Sequence, residues 1–201
     1  MATLETFRRR VKAAFHAAEV REFDPGMAGG SFPDMIKTGS KADLSFNVRA
    51  WSLAGGGREV AFAELLGRRT VVSVYMKGGT PGCDRQVEAL SGLAAELEQA
   101  GFGLVAVSRD GPSAQARQGE KKRLPFTLVS DPEDLFAQAT DSLVEKKMYG
   151  RSFTGPARAA YVFDAKGGVL AVVPKVDTAD HASQLRVVIA GLDGGKAKGR
   201  A

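Results

Sequence analysis

The single cysteine of this 201-residue chain, Cys83, stands where its side chain is expected to be reactive. It ends the segment KGGTPGC (77–83), between an apolar, β-branched run at 70–76 and a stretch with helical periodicity. The first turn of a helix presents unpaired N–H groups and a partial positive charge, which favour thiolate over thiol. A structural cysteine would be expected inside an apolar run, whereas Cys83 has Gly82 and Asp84 as neighbours. We therefore predict a nucleophilic thiol at the carboxyl edge of a buried strand.

Other kinds of cysteine chemistry lack the residues that they require. A disulfide reductase needs a Cys-x-x-Cys pair, and position 80 is Thr80. One cysteine and two histidines, His16 and His181, show no metal-ligand spacing, so we predict neither a metal nor another cofactor. A cysteine hydrolase would need a basic side chain, and neither histidine has a sequence context that places it near Cys83. The remaining interpretation is a reactive thiolate that is stabilised by electrostatic interactions alone.

The overall composition predicts a globular protein with no nucleic-acid or membrane partner. The 28 basic and 23 acidic residues give a net charge of +5 but are largely interspersed, without a nucleic-acid-binding motif. No run approaches the roughly 18 apolar residues of a membrane span, and the first twenty residues lack the apolar core of a signal peptide. A lone cysteine agrees with a reducing compartment. We expect a cytoplasmic protein.

Hydrophobic patterning divides the chain into three parts. Residues 1–38 combine an amphipathic helix with a Gly/Pro-rich linker, residues 39–192 form one compact domain, and residues 193–201 form a flexible basic tail. Within the domain, strands are predicted near 44–48, 70–76, 104–107, 126–129, 159–163 and 169–173, and helices near 62–66, 80–100, 113–122, 131–140 and 178–192. Alternating strands and helices favour parallel strands, and the final hairpin requires an antiparallel pair. The expected fold is α/β, a thioredoxin-like three-layer sandwich with a central mixed β-sheet and an N-terminal helical extension.

The segment around Cys83 also resembles a known family. YMKGGTPGCDRQ (75–86) is similar to the active-site segment of peroxiredoxins of the bacterioferritin-comigratory, or Q-type, subfamily. The segments LPFTLVSDP (124–132), EKKMYGR (145–151) and RAAYVFD (158–164) resemble that subfamily in order and spacing. The resemblance covers about residues 40–192.

This resemblance implies an activity and a site. The activity is reduction of hydrogen peroxide or alkyl hydroperoxides by Cys83, which is converted to a sulfenic acid. Thr80 matches the hydroxyl residue that contacts thiolate and peroxide, Arg158 matches the arginine that lowers the thiol pKa, and Gln86 occupies the position that orients this arginine. The backbone N–H near Gly82 would help to bind the peroxide. From the residues alone, Thr80 is equally a helix N-cap and Arg158 is more simply a surface charge.

Three positions depart from the family pattern. Met76, which we assign to the substrate pocket, replaces the proline that shields the thiolate, and Gly78 and Gly79 replace two acidic residues and are expected to loosen the loop. These departures keep an alternative open, namely a redox sensor or binding module with weak or lost turnover.

Glu88 occupies the position at which many members of the subfamily carry a second, resolving cysteine. The sulfenic acid would then need an external thiol, either a small thiol or a thioredoxin-like or glutaredoxin-like protein. Residues 1–38 offer a surface for a homodimer, and the sequence leaves the oligomeric state open.

Overall fold

The computed structural model describes residues 35–148 and 151–194, and in these ranges strands and helices alternate along the chain. The strands have the bounds Asn47–Ser52 (β1), Gly56–Ala61 (β2), Thr70–Val74 (β3), Gly103–Ser108 (β4), Thr127–Ser130 (β5), Leu143–Met148 (β6), Arg151–Pro156 (β7), Ala160–Phe163 (β8) and Val169–Val173 (β9). Seven of them form one sheet in the order β2-β1-β5-β4-β3-β8-β9, and β6 pairs with β7 separately. The central strands β3, β4 and β5 run parallel, and both edges are antiparallel.

Helices cover both faces of the large sheet. The α-helices have the bounds Pro81–Gln99 (α1), Pro112–Lys122 (α2), Leu135–Ala139 (α3) and His181–Gly194 (α4), and a 3-10 helix spans Phe62–Leu66. One hydrophobic core joins α1 and α4 to the sheet, with α2 packed at its edge. The second core lies on the opposite face, beneath the 3-10 helix and α3. Burial of both faces explains why the parallel strands are almost continuously apolar.

Strand β3 determines where the side chains near Cys83 point. All five of its residues are buried, and side chains alternate between the two faces of a strand. Val71 and Tyr75 lie in the core beneath α1 and α4, whereas Val72 and Val74 lie in the opposite core. Ser73 therefore points toward α1 and α4.

The expected fold is confirmed, with local differences. The predicted strand at 44–48 was shifted, because β1 begins at Asn47 and pairs with both β2 and β5. The hairpin of β6 and β7 was missed, because its polar residues do not show the apolar alternation of a core strand. The predicted N-terminal helix and linker lie outside the described residues, apart from 35–38, and most of the basic tail lies outside them as well. In the described part of the chain, no helix is long and apolar enough to cross a membrane.

Candidate active site

Cys83 is the third residue of α1 and lies at the carboxyl end of β3. Its side chain is fully buried. The sulfur accepts a hydrogen bond from Arg158 Nη2 at 3.4 Å and a longer one from the backbone N–H of Lys77 at 3.5 Å. The thiol thus lies in the first turn of a helix, as predicted, and the charge of Arg158 adds to that of the helix N-terminus.

Two opposing effects set the pKa of the Cys83 thiol. Burial raises it, because a dry environment disfavours the thiolate. The Thr80 hydroxyl, the backbone N–H groups of Lys77 and Met76, and the positive charge of Arg158 lower it, and together they bring the pKa below the ordinary thiol value. A lower pKa increases the fraction of reactive thiolate at neutral pH.

Thr80 occupies the N-cap position of α1, but its side chain makes no capping hydrogen bond. Instead, the hydroxyl donates to the Lys77 carbonyl at 3.0 Å. A hydroxyl has a single proton, so donation to the Cys83 sulfur and donation to that carbonyl are alternatives. A rotation about the Thr80 side chain would switch between them.

Arg158 lies two residues before β8 and is oriented by Gln86. Its Nη1 donates to Gln86 Oε1 at 2.9 Å, while its Nη2 reaches Cys83. Gln86 is fully buried one turn beyond Cys83 on the same face of α1. Its amide nitrogen donates to the Val74 carbonyl at 3.0 Å and to Ser73 Oγ at 2.9 Å. The structure thus brings Arg158 next to Cys83 and Gln86, which lie 75 and 72 residues earlier in the sequence.

Gly82 and Met76 lie on two sides of this group. A Cβ atom on Gly82 would lie 3.9 Å from both terminal nitrogens of Arg158, so the backbone there runs beside the guanidinium. The Met76 sulfur accepts a contact from Lys146 Nζ at 2.7 Å, and the same amine donates to the Pro156 carbonyl at 2.5 Å. Burial, then the charges of nearby arginines, Arg158 foremost, lower the pKa of Lys146 to about 8. Met76 is therefore in contact with a partly buried amine.

The loop before α1 is more constrained than its glycines suggest. The Gly78 N–H donates to Asp110 Oδ2 at 2.7 Å, which ties the loop to the end of β4. Gly79 has a φ of +77°, a left-handed conformation that glycine adopts at little cost. Gly78 is thus held by one hydrogen bond to Asp110, and the loosening of the loop stays a prediction.

Sequence reasoning missed two residues near this group. Lys146 lies in the segment 145–151 that carried the resemblance, but no pattern indicated that the polar hairpin would fold toward Met76. The sequence context of His181 does not place it near Cys83, yet its Nε2 lies 2.9 Å from Ser73 Oγ, which in turn contacts Gln86. The only signal in the sequence was its place at the start of the last amphipathic helix.

Comparisons with known proteins bear on the family to which this chain belongs. The model of the AhpC/TSA family matches residues 39–172. Peroxiredoxin Bcp of Escherichia coli is 32% identical over 125 residues, which cover 62% of this chain and 80% of the relative. Peroxiredoxin Q of Xanthomonas campestris has a TM-score of 0.65 and 28% identity, covering 75% of this chain and 91% of that one. The bacterioferritin comigratory protein of the same organism has a TM-score of 0.67 and 25% identity, covering 79% and 99%. The chain therefore belongs to the AhpC/TSA family and is a peroxiredoxin, a thiol peroxidase, of the one-cysteine type.

Proposed function

We propose that Cys83, Thr80 and Arg158 carry out the peroxidase reaction of this chain. The observation that supports this most strongly is the guanidinium of Arg158, which lies 3.4 Å from a fully buried sulfur and is held there by Gln86. Such a donor stabilises the thiolate, and it is also placed to stabilise negative charge on a peroxide oxygen as the O–O bond stretches. The backbone near Gly82 and the side chain of Met76 line the approach to the sulfur in this proposal.

The reaction can be written with all atoms accounted for. The Cys83 thiolate attacks one peroxide oxygen, the S–O bond forms, the O–O bond breaks, and the leaving alkoxide or hydroxide takes up a proton. The product is a sulfenic acid on Cys83 and an alcohol or water. One external thiol then displaces water to form a mixed disulfide, and a second thiol releases Cys83 as a thiol.

Alkyl hydroperoxides and hydrogen peroxide are the proposed substrates. The bacterioferritin comigratory protein of Xanthomonas campestris, one of the similar structures, is described as having alkyl peroxide reduction activity. The half-buried Met76 next to the cysteine loop offers an apolar contact that an alkyl group would use and hydrogen peroxide would not.

An external thiol is proposed as the reductant, because Cys83 is the sole cysteine of the sequence. A disulfide between two copies would require their Cys83 α-carbons to approach within about 7 Å. Both sulfurs are fully buried in the first turn of a helix, so this approach would require α1 to unwind. The candidate reductants are low-molecular-weight thiols and thioredoxin-like or glutaredoxin-like proteins. A cytoplasmic location and a homodimer formed through residues 1–38 remain predictions from the sequence.

The test is peroxide consumption by the purified chain with dithiothreitol as the thiol. We expect many turnovers per protein molecule, and none for Cys83→Ser. A redox sensor would instead consume one equivalent and stop, which would contradict the proposed turnover. Without a reductant, intact-mass spectrometry should show the gain of one and then two oxygen atoms. A stoichiometric disulfide-linked dimer on a non-reducing gel would contradict the external-thiol mechanism.

A further inference from the structure

A row of hydrogen-bonded side chains leads from Arg158 into the protein core. After Gln86 it continues to Ser73 on β3 and to His181 at the start of α4, with both links at 2.9 Å. Gln86, Ser73 and His181 are each completely buried. Three separate elements, α1, β3 and α4, thus converge on one polar row inside an otherwise apolar core. Buried polar groups of this kind must be fully partnered, or the structure is destabilised.

The orientation of the Gln86 amide determines whether it can hold Arg158. A guanidinium has only donors, so Gln86 must present its oxygen to Arg158. Its nitrogen must then point the other way, where it has two hydrogens for two acceptors, the Val74 carbonyl and Ser73 Oγ. The carbonyl can only accept, whereas a serine hydroxyl can accept or donate. Ser73 is therefore the point at which this arrangement could be reversed.

His181 removes that ambiguity. The single proton of Ser73 has the ring nitrogen Nε2 of His181 as its acceptor at 2.9 Å, which leaves the serine oxygen free to accept from Gln86. This requires His181 to be neutral with its proton on Nδ1. The Nδ1 atom faces Gln184 Oε1 at 3.4 Å, and the backbone N–H of Asp177 also donates to that oxygen at 2.8 Å. Gln184 Oε1, which accepts the proton of His181, is thus held in place by the backbone N–H of Asp177.

Every donor in the row therefore points in the same direction, from Arg158 toward Gln184. We infer that His181 and Ser73 are positioning residues, which hold the Gln86 amide so that Arg158 faces the Cys83 sulfur. This inference rests on the proposed peroxidase function of Cys83, and it assigns roles to two residues that do not touch the sulfur. The burial of His181 agrees with it, since burial lowers the pKa of this residue to about 4 and keeps the ring neutral.

Loss of the histidine acceptor has a specific consequence. The Ser73 hydroxyl could then donate to Gln86, and the reversed amide would place its N–H groups against the guanidinium of Arg158. Both groups would be donors, so Arg158 would leave the sulfur for part of the time. The Val74 carbonyl still opposes the reversal, so a partial loss is expected.

The experiment compares four single variants and one double variant by the ultraviolet absorbance of the thiolate against pH and by the rate of Cys83 oxidation by hydrogen peroxide. His181→Leu and Ser73→Ala remove the two links, and His181→Gln places an amide oxygen near the position of Nε2. Ser130→Ala is the matched control, because Ser130 is a buried serine of the same sheet whose hydroxyl has no hydrogen-bond partner among the described residues. With a single cysteine in the chain, the signal comes from Cys83 alone.

We expect His181→Leu to raise the thiol pKa and to slow oxidation about threefold to tenfold, the effect of one neutral hydrogen bond. Ser73→Ala should have an effect in the same range for a different reason, because the Gln86 amide then loses one of its two acceptors. His181→Gln should restore most of the rate, and the double variant of Ser73 and His181 should be no slower than the slower single variant. Equal effects of Ser73→Ala and Ser130→Ala, or additive effects in the double variant, would refute the inference. If His181→Leu fails to fold, the comparison of Ser73→Ala, Ser130→Ala and His181→Gln still tests the inference. Absence of peroxide turnover in the unsubstituted protein would refute the proposed function. The thiolate titration would still test the positioning roles of His181 and Ser73.

Discussion

Acid should destabilise this protein through His181 in a defined pH range. The residue is fully buried, and burial lowers its pKa from 6.5 to about 4, with the nearby charge of Arg158 acting in the same direction. In the unfolded chain the imidazole takes up a proton near pH 6.5, whereas in the folded protein it does so only near pH 4. Between these values the unfolded state binds more protons, so the free energy of unfolding falls as the pH falls. Above pH 6.5 this contribution is fully present.

The size of the effect follows from the two pKa values. Each tenfold difference in proton affinity corresponds to about 1.4 kcal/mol, so the change from 6.5 to about 4 amounts to on the order of 3 kcal/mol. This is a large part of the 5–15 kcal/mol that typically stabilises a domain. The loss should approach about 1.4 kcal/mol per pH unit below pH 6 and should end near pH 4.

Urea unfolding of the normal chain and of His181→Gln between pH 7 and pH 4 measures this contribution. All other titratable groups are the same in both proteins, so the difference between the two free energies of unfolding isolates His181. We expect the free energy of unfolding of the unsubstituted protein to fall steadily relative to that of His181→Gln as the pH decreases. A difference that stays constant from pH 7 to pH 4.5 would refute the reasoning, as would a ring resonance of His181 that titrates near 6.5.

Three further predictions concern the cysteine and the core. Arg158→Met should slow peroxide reduction about a hundredfold in a steady-state assay, in the range for a lost oxyanion donor. Arg158→Lys should recover only part of the lost rate, because one ammonium cannot replace two guanidinium contacts. Thr80→Val should raise the thiol pKa in a thiolate titration, whereas Thr80→Ser, which keeps the hydroxyl, should not. Gly119→Ala should destabilise the fold by about 1–3 kcal/mol in urea unfolding, because its Cβ would lie 2.0 Å from a ring carbon of Trp51. Gly92→Ala, whose Cβ would meet no atom of the described ranges 35–148 and 151–194 within 4 Å, should instead stabilise α1 by roughly 0.5–1 kcal/mol. Equal effects of the two changes would contradict the packing argument.

The position of Cys83 could be predicted because it depends on local signals. An apolar run forms β3, a Gly/Pro-containing segment ends it, and Pro81 starts a helix with regular apolar spacing. These features follow each other within about thirty residues, so no tertiary contact is needed to interpret them. The same reasoning placed the thiol in the first turn of α1.

Contacts between distant parts of the chain could not be predicted in this way. Arg158 is 75 residues from Cys83 in the sequence, and its local pattern is that of a surface residue before a strand. Only the resemblance to a family indicated its role. His181 is 108 residues from Ser73, and the two meet because Ser73 faces the side of the sheet on which α4 packs. A single sequence shows which face a strand residue takes, but it does not show which helix residue will lie opposite.

The neutral row of side chains also explains how one arginine can support a thiolate in a dry site. Arg158 contacts the amide of Gln86, and beyond it lie a hydroxyl and a neutral imidazole, so none of these groups offsets its charge. A carboxylate at the position of Gln86 would form an ion pair with Arg158, reduce the field at the sulfur, and place an acceptor against the Val74 carbonyl. An amide provides orientation without opposing charge, because its oxygen holds the guanidinium and its nitrogen is held by the core. In this arrangement the positive charge of Arg158 is directed to the Cys83 sulfur, where negative charge is required before a peroxide can be attacked.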